Sequence, residues 1–225
     1  MDLSYRLSKI AQKININGIM ADIGTDHAYI PIYLYKNNKI KKAIACDISK
    51  GSIQKAKDNI LKYNLSNCIE TRLSNGLLKI TKNDNVDTIV IAGMGGMLMI
   101  DILNKGLDIA KSVKEIILQP QKDIDKVRYF LHKNGFKIID DEMIIDDGKY
   151  YTIIKAILGN EQQYTNEQYI FGKFEIEQKS PILKEYIKTN MYKMESVLKK
   201  IKQQNGDFSH IQKEINIYKE VLKCL

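Results

Sequence analysis

The sequence is poor in the residues that build disulfide frameworks and metal centres. It has three cysteines, Cys46, Cys68 and Cys224, scattered without the paired spacing of a zinc site. An odd count with no framework fits a reducing cytoplasm and argues against a disulfide scaffold. Histidine is as scarce: apart from His27, only His132 and His210 occur, far apart in the chain. No metal is therefore expected. Long apolar runs are also missing. The longest uncharged stretch lies between Asp87 and Asp101, short of the ~20 residues a membrane-spanning helix needs. The start, MDLSYRLSKIAQKI, reads as an amphipathic helix rather than a signal peptide. Neither G-x-S-x-G nor a Cys–His arrangement is present, so covalent nucleophilic catalysis has no support.

What is present suits a globular α/β protein. Hydrophobic residues make up 44% of the 225 positions, enough for a proper core. The net charge is +8, spread along the chain with local runs such as KNNKIKK at 36–42. Such a surface favours phosphate-rich partners.

Leu3, Leu7, Ile10 and Ile14 mark one face of an opening helix. Short apolar segments then alternate with helical ones. GIMADIG, KKAIACD, CIETRL, VDTIVIAG and KEIILQ read as strands. Between them lie AYIPIYLYKNN, with Pro31 tolerable only in its first turn, and a helix over 50–63 capped by Ser49. In that helix Ile53, Ala56, Ile60 and Leu61 are expected to share a face. Further helices are expected over 96–110 and 123–134. FKIIDDEMII and YYTIIKAIL, joined through DDGK, read as an antiparallel pair. The predicted fold is a doubly wound, Rossmann-like α/β sheet with an antiparallel edge, over residues 1–160. Over 161–225 the period changes. Ile187, Met191, Met194, Leu198 and Ile201, then Ile211, Ile215, Tyr218, Leu222 and Leu225, run at heptad-like spacing on either side of QQNGDFSH. They predict an antiparallel, coiled-coil-like helical hairpin.

Ligands of doubly wound sheets bind at the carboxyl ends of the strands. Gly24 ends the first strand and can admit a close approach. Asp47 ends the second, where a carboxylate can accept both hydroxyls of a ribose. Nicotinamide enzymes and adenosylmethionine methyltransferases share these two features. The pyrophosphate fingerprint G-x-G-x-x-G is absent, because T-D-H-A-Y follows Gly24. Asp26 would repel a pyrophosphate, whereas Asp22 and Asp26 suit a cofactor carrying a sulfonium and an ammonium. Asn75-Gly76 follows the third strand and AGMGG, 92–96, the fourth, where a flat base can approach the backbone. Each piece has a plainer reading: a strand-end cap, a turn, a helix entry. Together, at four consecutive strand ends, they favour a cofactor crevice. His27 is read as a polar residue lining it.

RLSKIAQKI, ADIGTDHAYIPIYL, IACDISKGSIQKAKDNI, RLSNGL, IVIAGMGGMLMIDIL and LQP together resemble the bacterial tRNA (adenine-22-N1)-methyltransferase family, TrmK. The resemblance covers most of residues 3–158 and continues in the hairpin. It implies a class I methyltransferase that uses S-adenosylmethionine and methylates N1 of adenine 22 in the D-arm region of tRNA. It implies cofactor contacts from Asp22, Gly24, Thr25, Asp26, His27, Asp47, Ile48, Asn75, Gly76, Ala92 and Gly93. Asp26 and the backbone of Gly93, Met94 and Gly95 are the expected catalytic groups. Tyr29 is expected to stack on the target base, and Gln119, Pro120 and Gln121 to contact it. Lys193, Lys199, Lys200 and Lys202 on the hairpin are expected to embrace the tRNA, with dimerisation or self-packing as the hairpin's other reading. The chain is expected to act as a monomer or weak homodimer. Two departures from the family pattern are Ser74, where glycine is common and a side chain could narrow an adenine pocket, and Gln121, where asparagine is expected. The alternatives are a methyltransferase of another RNA or protein target and a non-catalytic RNA-binding module. The N/D-P-P-Y/F signature is absent after the fourth strand, which argues against the exocyclic-amine methyltransferases that use it.

Overall fold

The computed structural model describes residues 2–204 and 207–225. Asn205 and Gly206, within the turn expected between the two long helices, lie outside the described residues. The strands are β1 (Ile19–Ile23), β2 (Lys42–Asp47), β3 (Ile69–Leu73), β4 (Thr88–Met94), β5 (Glu115–Pro120), β6 (Phe136–Asp146) and β7 (Lys149–Leu158). They form one seven-stranded sheet in the order β3-β2-β1-β4-β5-β7-β6. The first five are parallel, and β7 and β6 join antiparallel. The chain reverses sides between β1 and β4, and this switch point places the crevice.

The interior strands lack alternation because both faces are covered. On one face, α1 (Tyr5–Gln12), α2 (Tyr29–Lys36) and α3 (Lys50–Lys62) bury Ile10, Ile32 and Ile60 against Met20, Ala45 and Val90. On the other, α4 (Gly96–Lys105), α5 (Leu107–Ala110) and α6 (Ile124–Lys133) cover Ile23, Ile91 and Leu118. Ser4 and Ser49 accept hydrogen bonds at the starts of α1 and α3 from Leu7 N (3.3 Å) and Ser52 N (3.4 Å). Pro31 lies in the first turn of α2. Two expectations need correction. Leu61 points outward, 66% exposed. The helix over 96–110 breaks at Gly106, where a Cβ would sit 2.5 Å from the Leu77 Cβ.

The β6–β7 hairpin turns on Asp147 and Gly148, both at positive φ (49° and 69°), as the strand twist favours. Beyond it the chain folds back onto α6. Two short helices that periodicity does not reveal, α7 (Asn166–Phe171) and α8 (Lys173–Glu177), precede α9 (Pro181–Gln203) and α10 (Ser209–Cys224). Leu183 and Ile187 of α9 pack with Tyr218 and Val221 of α10 and with Met143 of β6.

The fold-back is fixed by a buried ion pair. Arg128 of α6 and Asp141 of β6 are almost wholly buried. Nε and Nη2 donate to the carboxylate at 2.7 and 3.1 Å, and Nη1 donates to the carbonyls of Tyr169 and Ile170 at 2.7 and 3.0 Å. Gly172, at φ 94°, leaves room for this cluster: a Cβ there would lie 3.0 Å from both Arg128 and Asp141.

Removing one partner of such a pair strands the other charge. Arg128→Met is expected to cost about 3–5 kcal/mol in denaturant unfolding, and Asp141→Leu a similar amount. The double variant should lose clearly less than the sum. Additive losses would show that the two residues do not act as a pair.

Candidate functional site

Asp22 is the penultimate residue of β1 and is only 7% exposed. Desolvation raises its pKa to about 6, against the lowering effect of a hydrogen bond with Thr25; the nearby Asp47 charge adds to the rise. Gly24 follows at φ 81°, where a Cβ would collide with the Met94 methyl. The amides of Gly24 and Thr25 both donate to Cys46 O, at 2.8 and 2.9 Å, which ties this loop to β2. Thr25 Oγ1 accepts from Ala28 N (3.1 Å), and Ala28, at φ 54°, leads into α2.

Asp26 sits differently. Its side chain is 58% exposed, with Lys55 Nζ and His27 Nε2 each 3.2 Å away. Burial would raise its pKa, but the Lys55 hydrogen bond and the positive charge of His27 and Lys55 carry it below the usual carboxylate value. His27 stacks on Tyr29, with centroids 4.9 Å apart and planes 5° from parallel. Asn59 Nδ2 donates to His27 O at 3.0 Å and lies 3.4 Å from its Nδ1. Asp26 is thus a rim group with cationic neighbours, and Asp22 is the buried carboxylate.

The other strand ends line up beside these. Asp47 Oδ1 accepts from Ser49 N (2.7 Å), while Ile48 is exposed. Ser74 N donates to Asp47 O (2.8 Å). The Ser74 side chain turns into its own loop, where Oγ donates to Gly76 O (2.8 Å) and accepts from Lys79 N (3.2 Å). The departure at Ser74 is absorbed there. On β4 the pairing to β5 slips between Ala92 and Met94, and Gly93 adopts φ 78°. No atom lies within 4 Å of where a Gly93 Cβ would be. Gly96 packs the start of α4 against Lys122 and Asp123, and Gln121 N donates to Met94 O (2.8 Å).

A crevice of about 350 Å³ opens here. It gathers Asp22, Gly24, Thr25, Asp26, His27, Tyr29, Ala92 and Gly93, and it adds Arg6, Leu7, Ala28 and Ile30. Asp47 and Met94 end β2 and β4, and Ile48, Asn75, Gly76 and Gly95 follow in the loops after the strands; none of the six lines this crevice. Gln119 is fully buried, and its Oε1 accepts from Arg6 Nη1 at 2.7 Å; Pro120 is buried and Gln121 exposed. Lys193, Lys199, Lys200 and Lys202 are exposed on α9 and do not line the crevice; Lys202 Nζ sits 4.7 Å over the Phe208 ring. Arg6 and Leu7 are not among the site residues expected from sequence. They sit on a helix whose only sequence signal is its apolar stripe, and Arg6 lies off that stripe. A buried carboxylate in a crevice opened at Gly93 favours a cationic group over a phosphate. Among the described residues no three side chains cluster as metal ligands, and no helix is long and apolar enough to cross a membrane.

The methyltransferase domain family matches residues 3–154. The tRNA (adenine(22)-N(1))-methyltransferase of Bacillus subtilis is 38% identical over 160 residues, 71% of this chain and 67% of that protein. The chain belongs to the TrmK family. Its likeness to solved structures extends through the hairpin. Streptococcus pneumoniae Sp1610, in complex with S-adenosyl-L-methionine, superposes with TM-score 0.90 at 33% identity, covering 98% of this chain and 100% of that one. M. capricolum TrmK, in complex with S-adenosyl-homocysteine, gives 0.89 at 30% identity, covering 99% and 98%.

A carboxylate raised from 3.8 to about 6 by burial carries a folding penalty when ionised. At roughly 1.4 kcal/mol per pKa unit this is about 3 kcal/mol. The folded pKa exceeds the unfolded one, so the penalty is absent below about pH 4 and complete above about pH 6. Without ligand, Asp22→Asn is expected to melt several degrees higher than the parent protein at about pH 7.5, the difference shrinking as the pH falls through about 6. A difference that does not change with pH would remove the electrostatic account.

Proposed function

We infer that this protein is an S-adenosylmethionine-dependent methyltransferase acting on N1 of adenine 22 of tRNA. The observation that carries the reading is the buried Asp22 in one crevice with the open backbone of Gly93, in a chain of the TrmK family. The residues present fit the cofactor. Asp22 would take its ammonium. Asp47, whose carboxylate is steadied by Ser49 N, would take the ribose hydroxyls, with Ile48 beside it. Asn75, Gly76 and Ala92 would border the adenine, and Thr25 and His27 would complete the wall near Gly24. When bound, S-adenosylmethionine supplies an electrophilic methyl on a sulfonium.

Adenine N1 has an in-plane lone pair and needs no base before it attacks. The chain must therefore align N1, exclude water and stabilise the cationic product. Asp26, held ionised by Lys55 and His27, is the carboxylate we assign to that charge, with the backbone of Gly93, Met94 and Gly95 on the exocyclic-amine side. Tyr29 is braced by His27 and still 41% exposed, which suits it to stack on the base. Gln121, exposed and tied to Met94 O, stands beside the same loop. N1 lies on the pairing edge, so the target nucleotide must leave its pair.

The exposed lysines of α9 suit the tRNA backbone. The apolar seam of the hairpin is filled by its own helices and by β6, which supports a chain acting alone or as a weak homodimer. Residues 161–177 pack on α6 and β6, so we take charge reversal rather than truncation as the test of the hairpin.

Labelled S-adenosylmethionine should transfer its methyl to an in vitro transcribed tRNA carrying A22, at N1, and not to the A22→G transcript. Label in both would move the target; label in neither, with cofactor bound, would favour a non-catalytic RNA-binding protein. Lys199→Glu, Lys200→Glu and Lys202→Glu together should raise KM for tRNA by about tenfold or more and weaken its salt dependence. The cofactor Kd should stay unchanged. An unaltered KM would take the hairpin lysines out of the tRNA contact.

A further inference from the structure

The loop that follows β5 is stitched to the loop that follows β4. Gln121 N donates to Met94 O (2.8 Å), and Lys122 O accepts from Gly96 N (2.9 Å). The backbone of Lys122 is thus fixed on both sides. Asp123, next in the chain, enters α6 at φ 54°, a conformation that a non-glycine residue seldom adopts. The Lys122 side chain is exposed and runs back over Gly95. A Cβ on Gly95 would lie 3.0 Å from its Cε, 3.6 Å from its Cγ and 3.9 Å from its Cδ. The bare α-carbon of Gly95 is therefore the bed of a lysine stem. The ammonium, one bond beyond Cε, stands at the Gly93–Gly95 loop. Nearby lysines are answered by acids: Lys126 pairs with Asp123 at 2.8 Å, Lys105 with Asp101 at 2.7 Å and Lys55 with Asp26 at 3.2 Å. Lys122 has no such partner among the described residues, because its neighbour Asp123 is taken by Lys126.

Asp22, Asp47 and Asn75, assigned above to the cofactor, lie at the ends of β1, β2 and β3. The loops after β4 and β5 are left to the target nucleotide. An ammonium there has three donors and no acceptor. It cannot serve an exocyclic amine, whose hydrogens are donors too, and it would oppose a base that becomes cationic. A phosphate on either side of the nucleotide is the partner that fits it. We propose that Lys122 binds a phosphate flanking adenine 22 and so holds the displaced nucleotide against the Gly93–Gly95 loop. This rests on the methyltransferase reading above. It gives Gly95 a reason to be glycine that its φ of −67° does not supply. It also places a basic contact beside the crevice, apart from the exposed lysines of α9.

The test pairs a charge removed from the protein with a charge removed from the tRNA. Lys122→Met keeps an unbranched stem over Gly95 and removes the ammonium. The tRNA is assembled by ligation with a neutral methylphosphonate on the 5′ side of adenine 22, on its 3′ side, or far away in the acceptor stem. With the unsubstituted full-length protein, one of the two flanking methylphosphonates should lower kcat/KM by about tenfold. Lys122→Met should show a similar loss on unmodified tRNA, and the same methylphosphonate should then change its kcat/KM by less than about twofold. Lys122→Arg should recover most of the activity, since the charge returns. The Kd of Lys122→Met for S-adenosyl-homocysteine should stay as in the parent protein, which reports a folded variant and an intact cofactor site. Independent losses at both flanking positions would overturn the proposal, and so would an unaltered kcat/KM in Lys122→Met. Coupling to the distant phosphate would overturn it in favour of a general tRNA contact. A cofactor Kd that worsens in step with kcat/KM would overturn it in favour of a structural role for the stem. If the unsubstituted protein transfers no methyl to the unmodified tRNA, the methyltransferase reading itself falls, and the proposal with it.

Discussion

The buried pair of Arg128 and Asp141 ties α6 and β6 to the segment that follows β7. Arg128 sits on α6, and its remaining donors hold the carbonyls that end α7. The entrance to α6 seats the loop of the site: Gly96 packs against Lys122, Asp123 and Val127 so closely that a Cβ would meet the Lys122 carbonyl at 2.5 Å. One helix therefore carries the anchor of α7 along its length and the anchor of the Gly93–Gly95 loop at its entrance. A guanidinium with four of its hydrogen bonds made in a water-free setting tolerates little displacement. The segment that leads into the hairpin thus keeps a defined relation to the crevice, and the hairpin itself is seated on β6 through Met143.

The second constraint is the isolation of Asp22. Of the four buried carboxylates among the described residues, two have a cationic partner: Asp141 has Arg128, and Glu115 has Lys155 at 2.7 Å, while Glu175 accepts from Met143 N. Asp22 has only Thr25 and lies near another carboxylate. Its ionised form is therefore costly in the free protein and becomes favourable when a cation arrives. The same reasoning separates it from Asp26, whose charge is already answered by Lys55 and His27. Two acids four residues apart differ in role because one points into the sheet's end and the other over α3.

Much of this was legible from the sequence. Non-alternating apolar runs give parallel strands, and Gly24, Asp47, Asn75-Gly76 and AGMGG fall at successive strand ends as doubly wound topology requires. Ser49 and Pro31 sit where capping and proline sterics demand. What stayed hidden depends on tertiary partners. The break at Gly106 comes from the approach of Leu77, nearly thirty residues earlier. Leu61 points outward because α3 covers the sheet with a narrower face than its apolar residues suggest. The short α7 and α8 have no room for a period. The pairing of Asp26, the burial of Gln119 and the presence of Arg6 in the crevice each join residues 29 to 113 positions apart, and no local pattern encodes such contacts.

The distribution of charge follows from these placements. The surface is basic overall, and a polyanion is drawn to it over a distance set by ionic strength. The crevice has a different character, with carboxylates at and below its rim and a single guanidinium held against a neutral amide. A cation can therefore find a negative site within a protein of net charge +8, because desolvation makes a nearby charge count for more than many distant, screened ones. The long-range field suits a polyanion while the short-range one suits a small cation. The two need not compete, since the lysines lie on α9 and the acids at the ends of β1 and in the loop after it.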